Sequence, residues 1–265
     1  MPQTLTLTGR YYRTIPIDAP GYEEEMLELD PGKTTFIGLH CWNIGCPDGP
    51  AIDRNFWVGM GFPATTAEAG RIMEQCIRPA MDASRRAGIL VSHVTSDSIA
   101  RRHPEAQEDV DPPRAGAASQ PPVVPGYAAR IVARNHGADY AIDSPYAYMD
   151  RAEIVRPQPG EPYVYQTGQF DRILRRRGIE NLIYSGFATD MCLLRAAGGI
   201  EPMFGLGYRV YLMRDATIGV EMPDMFEERR VTEYAVRFFE THFGDTVGSE
   251  EYIARCDELA GARNG

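Results

Sequence analysis

Cys192 is the residue of this chain whose neighbours best suit it to act as a nucleophile. It closes the run Asn181-Leu-Ile-Tyr-Ser-Gly-Phe-Ala-Thr-Asp-Met-Cys192. Asn181 to Ser185 reads as a buried strand, Gly186 to Thr189 as a tight turn, and Asp190 onward as a helix start. A cysteine at a helix start meets unpaired amide N–H groups and the positive end of the helix dipole. Both favour thiolate over thiol, and the thiolate is the attacking species. The same donors can hold an oxyanion on a carbonyl under attack. The opposing reading makes Cys192 a small apolar helix residue, buried and inert.

The elements that must position this cysteine follow from the flanking pattern. Thr34-Thr-Phe-Ile-Gly-Leu-His40 is an apolar, β-rich run suited to a central parallel strand. Thr66 to Ala87 predicts an amphipathic helix that Pro79 should kink, Gly88 ends it, and Ile89 to Val94 predicts the next strand. This strand-helix-strand unit opens a doubly wound, mostly parallel α/β sheet with helices on both faces. Loops after the carboxyl ends of parallel strands line the crevice of such sheets. Trp42, Asn43 and Trp57, in the Gly- and Pro-rich stretch after the first strand, are therefore expected pocket walls. Phe170 to Arg177 and Glu228 to Phe243 predict further helices, and Tyr208 to Arg214 predicts the last core strand. The helix after Cys192 is expected to run toward Met203, weakened by Gly198-Gly199 and Pro202.

The chain has 265 residues and a formal net charge of −10, so it offers no basic stripe for nucleic acid. Lys33 is its only lysine; every other cation is an arginine. Five scattered cysteines (41, 46, 76, 192, 256) suggest neither a disulfide framework nor a zinc site, and no apolar run reaches membrane-spanning length. A cytoplasmic protein with a small-molecule substrate and no cofactor or metal is the expectation. Residues 1–32 read as an N-terminal arm on a domain spanning 33–265, with a Pro-rich insertion at about 98–127. Residues 128–155, including Asp143-Ser-Pro-Tyr-Ala-Tyr148, resist placement.

Gly186-Phe-Ala-Thr-Asp-Met-Cys192, followed by Gly205-Leu-Gly-Tyr-Arg-Val-Tyr-Leu-Met-Arg-Asp-Ala216, resembles the signature of the isochorismatase-like cysteine hydrolases, Gly-x-x-Thr-x-x-Cys, a helix, Gly-Tyr, a strand, then Asp-Ala. Nicotinamidases, N-carbamoylsarcosine amidases and ureidoacrylate hydrolases belong to that family. The resemblance implies a three-layer α/β/α domain, a homodimer or homotetramer, and a thioester formed on Cys192 from a small amide or ureido substrate. It implies an oxyanion hole at the amides of Ala188 and Cys192, a cis Phe187–Ala188 peptide, and Thr189 near the pocket. The family's first strand ends in a catalytic Asp, but Leu39-His-Cys-Trp-Asn43 puts His40 there. A neutral imidazole can accept the thiol proton, so His40 is the expected base. The family's catalytic Lys has no counterpart either; Arg156 can contribute charge there but not exchange a proton. His93, Asp97 and His103 do not reproduce the metal-ligand spacing of nicotinamidases. Three readings stand side by side: a hydrolase with a reworked Cys–His site, a family member that binds without turnover, and a different chemistry in the same pocket.

Overall fold

The computed structural model describes residues 4–53, 62–112, 121–140 and 142–264. Its strands are β1 (Leu5–Arg13), β2 (Gly21–Leu29), β3 (Thr34–Leu39), β4 (Leu90–Val94), β5 (Tyr163–Val164), β6 (Asn181–Phe187), β7 (Arg209–Ile218) and β8 (Thr246–Val247). They form one sheet in the order β2-β1-β8-β7-β6-β3-β4-β5, parallel from β8 through β5, with β1 and β2 antiparallel at one edge. The helices are α1 (Pro63–Ile72), α2 (Arg78–Ala87), α3 (Asp97–Ala100), α4 (Tyr127–His136), α5 (Pro145–Tyr148), α6 (Thr167–Arg176), α7 (Cys192–Arg195), α8 (Ile200–Gly205), α9 (Arg230–His242) and α10 (Ser249–Asn264). Among the described residues no helix is long and apolar enough to cross a membrane.

Every residue of β3 and β6 is buried, as strands covered on both faces must be. The polar residues in these strands are tolerated because they are paired. Thr35 Oγ1 lies 2.8 Å from Ser92 Oγ, and Ser185 Oγ donates to the Ile37 carbonyl at 2.8 Å. Side chains from alternate positions feed two cores. Phe36 and Ile183 join α1, α2 and α10 through Ile72, Met81 and Tyr252 on one face. Ile37, Leu39 and Leu182 join α6, α7, α8 and α9 through Phe170, Leu194, Met203 and Phe239 on the other.

The stretch expected to be an arm is a β-hairpin that extends the sheet. Arg10 pairs with Thr246 of β8, and Leu5, Leu7, Leu27 and Leu29 enter the first core. Each fully buried leucine of this kind contributes about 1.5–3 kcal/mol. Pro79 does not simply kink its helix. Met73–Ile77 winds as a π-helix, and α2 restarts with Pro79 in its first turn, where a missing N–H has no partner to lose. The last long strand continues past Arg214 to Ile218, because the β6–β7 register shifts between Tyr184 and Gly186. Asp215 is structural: it accepts hydrogen bonds from the Ser249 amide (3.0 Å) and hydroxyl (2.6 Å) at the start of α10.

Candidate active site

The strand order places the chemistry. From β3 the chain moves outward through β4 and β5, then returns to the opposite side of β3 as β6. The order therefore reverses between β3 and β6, and ligands of open α/β sheets bind beyond the carboxyl ends of the strands at such a point. His40 leaves the end of β3, and Cys192 follows β6 by a short turn. Gly186 lets the two strand ends approach closely. It pairs with Leu39 at φ +112°, and a Cβ there would lie 2.0 Å from the Leu39 carbonyl oxygen. Only glycine fits.

The turn itself is held from β7. Thr189 donates its amide to the Ile218 carbonyl (3.1 Å), its hydroxyl sits 2.7 Å from that of Thr217, and Asp190 Oδ1 accepts the Val220 amide at 2.8 Å. Thr189 is thus a brace for the turn rather than an exposed pocket wall. The Phe187–Ala188 peptide is cis. Cys192 opens α7, a helix of only four residues that stops at Arg195, and a separate α8 begins at Ile200. The break falls at Gly198-Gly199, and the Gly198 carbonyl accepts from the Tyr184 hydroxyl at 2.9 Å.

The thiol's surroundings differ from the expected thiolate-favouring helix start. Burial raises the Cys192 pKa, the nearby Asp190 charge raises it further, and a hydrogen bond with the Ala188 backbone opposes the rise. One turn of helix gives a weak dipole, so desolvation wins. The Ala188 interaction nevertheless places a proposed oxyanion donor at the sulfur.

His40 adopts φ +50°, uncommon for a residue other than glycine, and is buried. Its Nδ1 has no hydrogen-bond partner among the described residues. Burial pushes its pKa down to about 4 despite a hydrogen bond with the Thr95 backbone, so the imidazole is neutral near pH 7. Trp42 stacks on it with ring centroids 5.1 Å apart, and the buried indole Nε1 is likewise unpartnered. Asn43 is engaged in the loop. Its side-chain amide donates to the Asp48 carbonyl (3.0 Å), and its Oδ1 accepts the Asp150 amide (2.7 Å).

That last bond ties in a segment whose role the sequence did not disclose. The Asp150 carbonyl accepts the Asn43 amide, the Ala152 amide donates to the Cys41 carbonyl, and Trp42 forms a bridge with Arg151. The residues just before it, α5, therefore lie over the end of β3. Tyr146 in α5 meets Trp42 edge-on at 5.9 Å and stacks on Tyr140 at 5.3 Å. Ser-Pro-Tyr was the available signal: Ser144 caps α5 through the Tyr146 amide, with Pro145 in its first turn.

Other expected residues fall elsewhere. Arg156 is largely exposed and pairs with Glu153 within its own turn. Lys33 pairs with Glu180 where β3 and β6 begin, at the opposite end from the site. Trp57 lies outside the described residues. His93 is buried against Glu161 (2.9 Å), which Arg85 also binds at 2.7 Å, and His103 pairs with Asp150. No group of three or more His, Cys, Asp or Glu among the described residues is arranged to hold a metal. A cavity of about 580 Å³ opens along Pro157 to Pro162 and the end of α6, and none of the candidate catalytic residues lines it.

A strand-turn-cysteine at the switch point of a doubly wound sheet defines a class, and sequence comparison agrees. The family model described as the Isochorismatase domain matches residues 162–247, from just before β5 through β8. Ureidoacrylate amidohydrolase RutB of Rhizobium rhizogenes is 26% identical over 247 residues, covering 89% of this chain and 88% of the relative. The protein of the same name from Agrobacterium fabrum is 27% identical over 216 residues, covering 78% and 85%. A cysteine hydrolase from Pseudomonas syringae pv. phaseolicola 1448A shares the fold, with TM-score 0.54 and 17% identity over 87% of this chain and 95% of that one. Over residues 162–247 the chain thus carries a match to the Isochorismatase domain, and over most of its length it is similar to proteins named ureidoacrylate amidohydrolase.

Proposed function

We propose that this protein hydrolyses the C–N bond of a small amide or ureido substrate through a thioester on Cys192. One observation carries the proposal: Cys192 and His40 leave the two strands that flank the reversal of strand order, which Gly186 brings into close contact. With the thiol's pKa raised and the imidazole's lowered, a thiolate–imidazolium pair is not the resting state. The proton moves to the unpartnered His40 Nδ1 as sulfur attacks the carbonyl carbon. The amides of Ala188 and Cys192 take the developing oxyanion. The C–N bond then breaks, the departing nitrogen takes the proton from His40, and water attacks the thioester to release the acid and restore the thiol.

The names of the sequence relatives favour turnover over a family member that only binds. They also make ureido acids the first substrates to test. Ammonia release from a panel of amides and ureido acids, with ureidoacrylate included, is expected from the wild-type protein and not from Cys192→Ser. A covalent adduct of substrate acyl mass on the Cys192 peptide completes the test. Ammonia release by Cys192→Ser at the wild-type rate would end the proposal. The same reading extends to a homodimer or homotetramer, checked by light scattering, and to the cytoplasm. The five cysteines are all free thiols, which suits a reducing compartment.

A further inference from the structure

We propose that the cavity beside the start of β8 binds a small organic cation, of the diammonium class, through Glu25, Glu240 and Asp245. The site lies at the end of the sheet where the parallel strands begin, away from Cys192, and the inference does not depend on the hydrolase reading.

The backbone brings the three carboxylates together. Glu25 of β2 pairs with Gly9 of β1, and directly opposed residues of an antiparallel pair project to the same side. A Cβ on Gly9 would lie 3.0 Å from Asp245 Cβ, so the absent side chain makes room for Asp245 beside Glu25. Asp245 precedes Thr246, whose hydroxyl donates to Glu240 Oε1 at 2.6 Å. Glu25, Glu240 and Asp245 line a cavity of about 390 Å³ together with Tyr11, His242 and Phe243.

The lining is short of positive charge. Arg10 donates to Glu240 Oε1 at 2.8 Å, but Glu240 Oε2 is buried and has no partner among the described residues. Among the described residues no ion pair reaches Glu25 or Asp245, so one guanidinium serves three carboxylates. Burial raises the Asp245 pKa, and the Glu25 and Glu240 charges raise it further, as expected of a half-buried carboxyl that lacks a countercharge. His242 Nδ1 lies 2.9 Å from the Phe238 carbonyl, which can only accept; in the neutral ring Nε2 therefore keeps a free lone pair. An uncompensated carboxylate out of water is costly, and a bound cation removes that cost. The carboxylates are not arranged to hold a metal ion, whose oxygen ligands must gather within about 2–2.6 Å of one point. A diammonium ion reaches separate acceptors with its two ends, and its charge balances the two carboxylates that Arg10 leaves over.

The test is the thermal melt of the full chain, followed by intrinsic fluorescence with putrescine, MgCl2 or NaCl at matched ionic strength, in wild type, Asp245→Asn and Glu25→Gln. With putrescine about tenfold above its dissociation constant, wild-type Tm should rise by about 3–5 °C over the NaCl control. Asp245→Asn and Glu25→Gln keep the side-chain size and remove the charge, so each should bring that rise below about 1 °C. Without putrescine both variants should melt at or above the wild-type temperature, because each relieves like-charge repulsion; a folding defect would lower it instead. A wild-type rise no larger than with NaCl, an equal rise with MgCl2, or a full rise retained in both variants overturns the proposal.

Discussion

Two buried histidines on neighbouring strands show how differently one side chain can be used. His93, inside β4, lies against Glu161, which Arg85 also grips, and all three side chains are largely out of water. His40, one residue past the end of β3, is as deeply buried, yet its Nδ1 has no partner among the described residues and it stacks on an indole whose N–H is also unmatched. A buried polar atom without a partner costs about 1–3 kcal/mol, and two such atoms lie side by side here among the described residues. His93 is held in an ion-pair network, whereas His40 keeps a ring nitrogen open for the proton transfer proposed above.

The largest expected effect tests the first half of that contrast. Burial opposes the Glu161 charge, but hydrogen bonds from His93, Arg85 and the Gln158 amide outweigh it and hold its pKa down at about 2. Glu161→Ala takes the carboxylate from His93 and leaves Arg85 with Asp82 alone, and about 3 kcal/mol of stability should disappear from a urea titration. Ammonia release per folded molecule should be unchanged; a selective loss of activity would give His93 a functional part and dissolve the contrast.

Acid comes next. The unfolded chain protonates His40 near 6.5 and the folded one only near 4, so the unfolded state binds more protons in between. Stability from this group is complete above pH 6.5 and is lost as pH falls toward 4, by roughly 3 kcal/mol. His93, also lowered by burial, adds in the same direction. Thermal melts from pH 7 to 4 should therefore drop, and His40→Asn should flatten the drop. Equal pH slopes in the two proteins would mean His40 is solvated.

His40→Asn should also lower turnover by at least about a hundredfold, the usual contribution of a general base. Asparagine tolerates the positive φ at this position. Turnover at the wild-type rate would leave Cys192 without a base from β3. The smallest effect belongs to Arg156: its exposed pair with Glu153 predicts that Arg156→Ala shifts stability by less than about 0.5 kcal/mol and leaves kcat/KM unaltered. A tenfold fall in kcat/KM would return Arg156 to the pocket.

What the sequence disclosed follows from how local each signal is. The turn from Gly186 to Cys192 was legible because a strand, a glycine and a cysteine within a dozen residues encode it. The parallel sheet was legible from the buried runs of β3 and β6. The thiol's raised pKa was not, because it comes from tertiary burial and a helix that ends after one turn. Tyr146 was hidden for a related reason: its partner Trp42 lies about a hundred residues away, and only Ser144-Pro145 marked its helix. The strand pairing of residues 5–29 was equally unreadable, since alternation at Leu5 and Leu7 names a buried face but no neighbour.

That pairing bears on how the protein is made. Arg10 and Thr246 are 236 residues apart, and β8 is the strip to which the hairpin attaches. During synthesis the hairpin emerges early but has no seat until β8 has left the ribosome, so its leucines stay uncovered while most of the chain is translated. Chaperone demand for this protein should accordingly follow the waiting time of those four side chains more than the stability of the finished sheet.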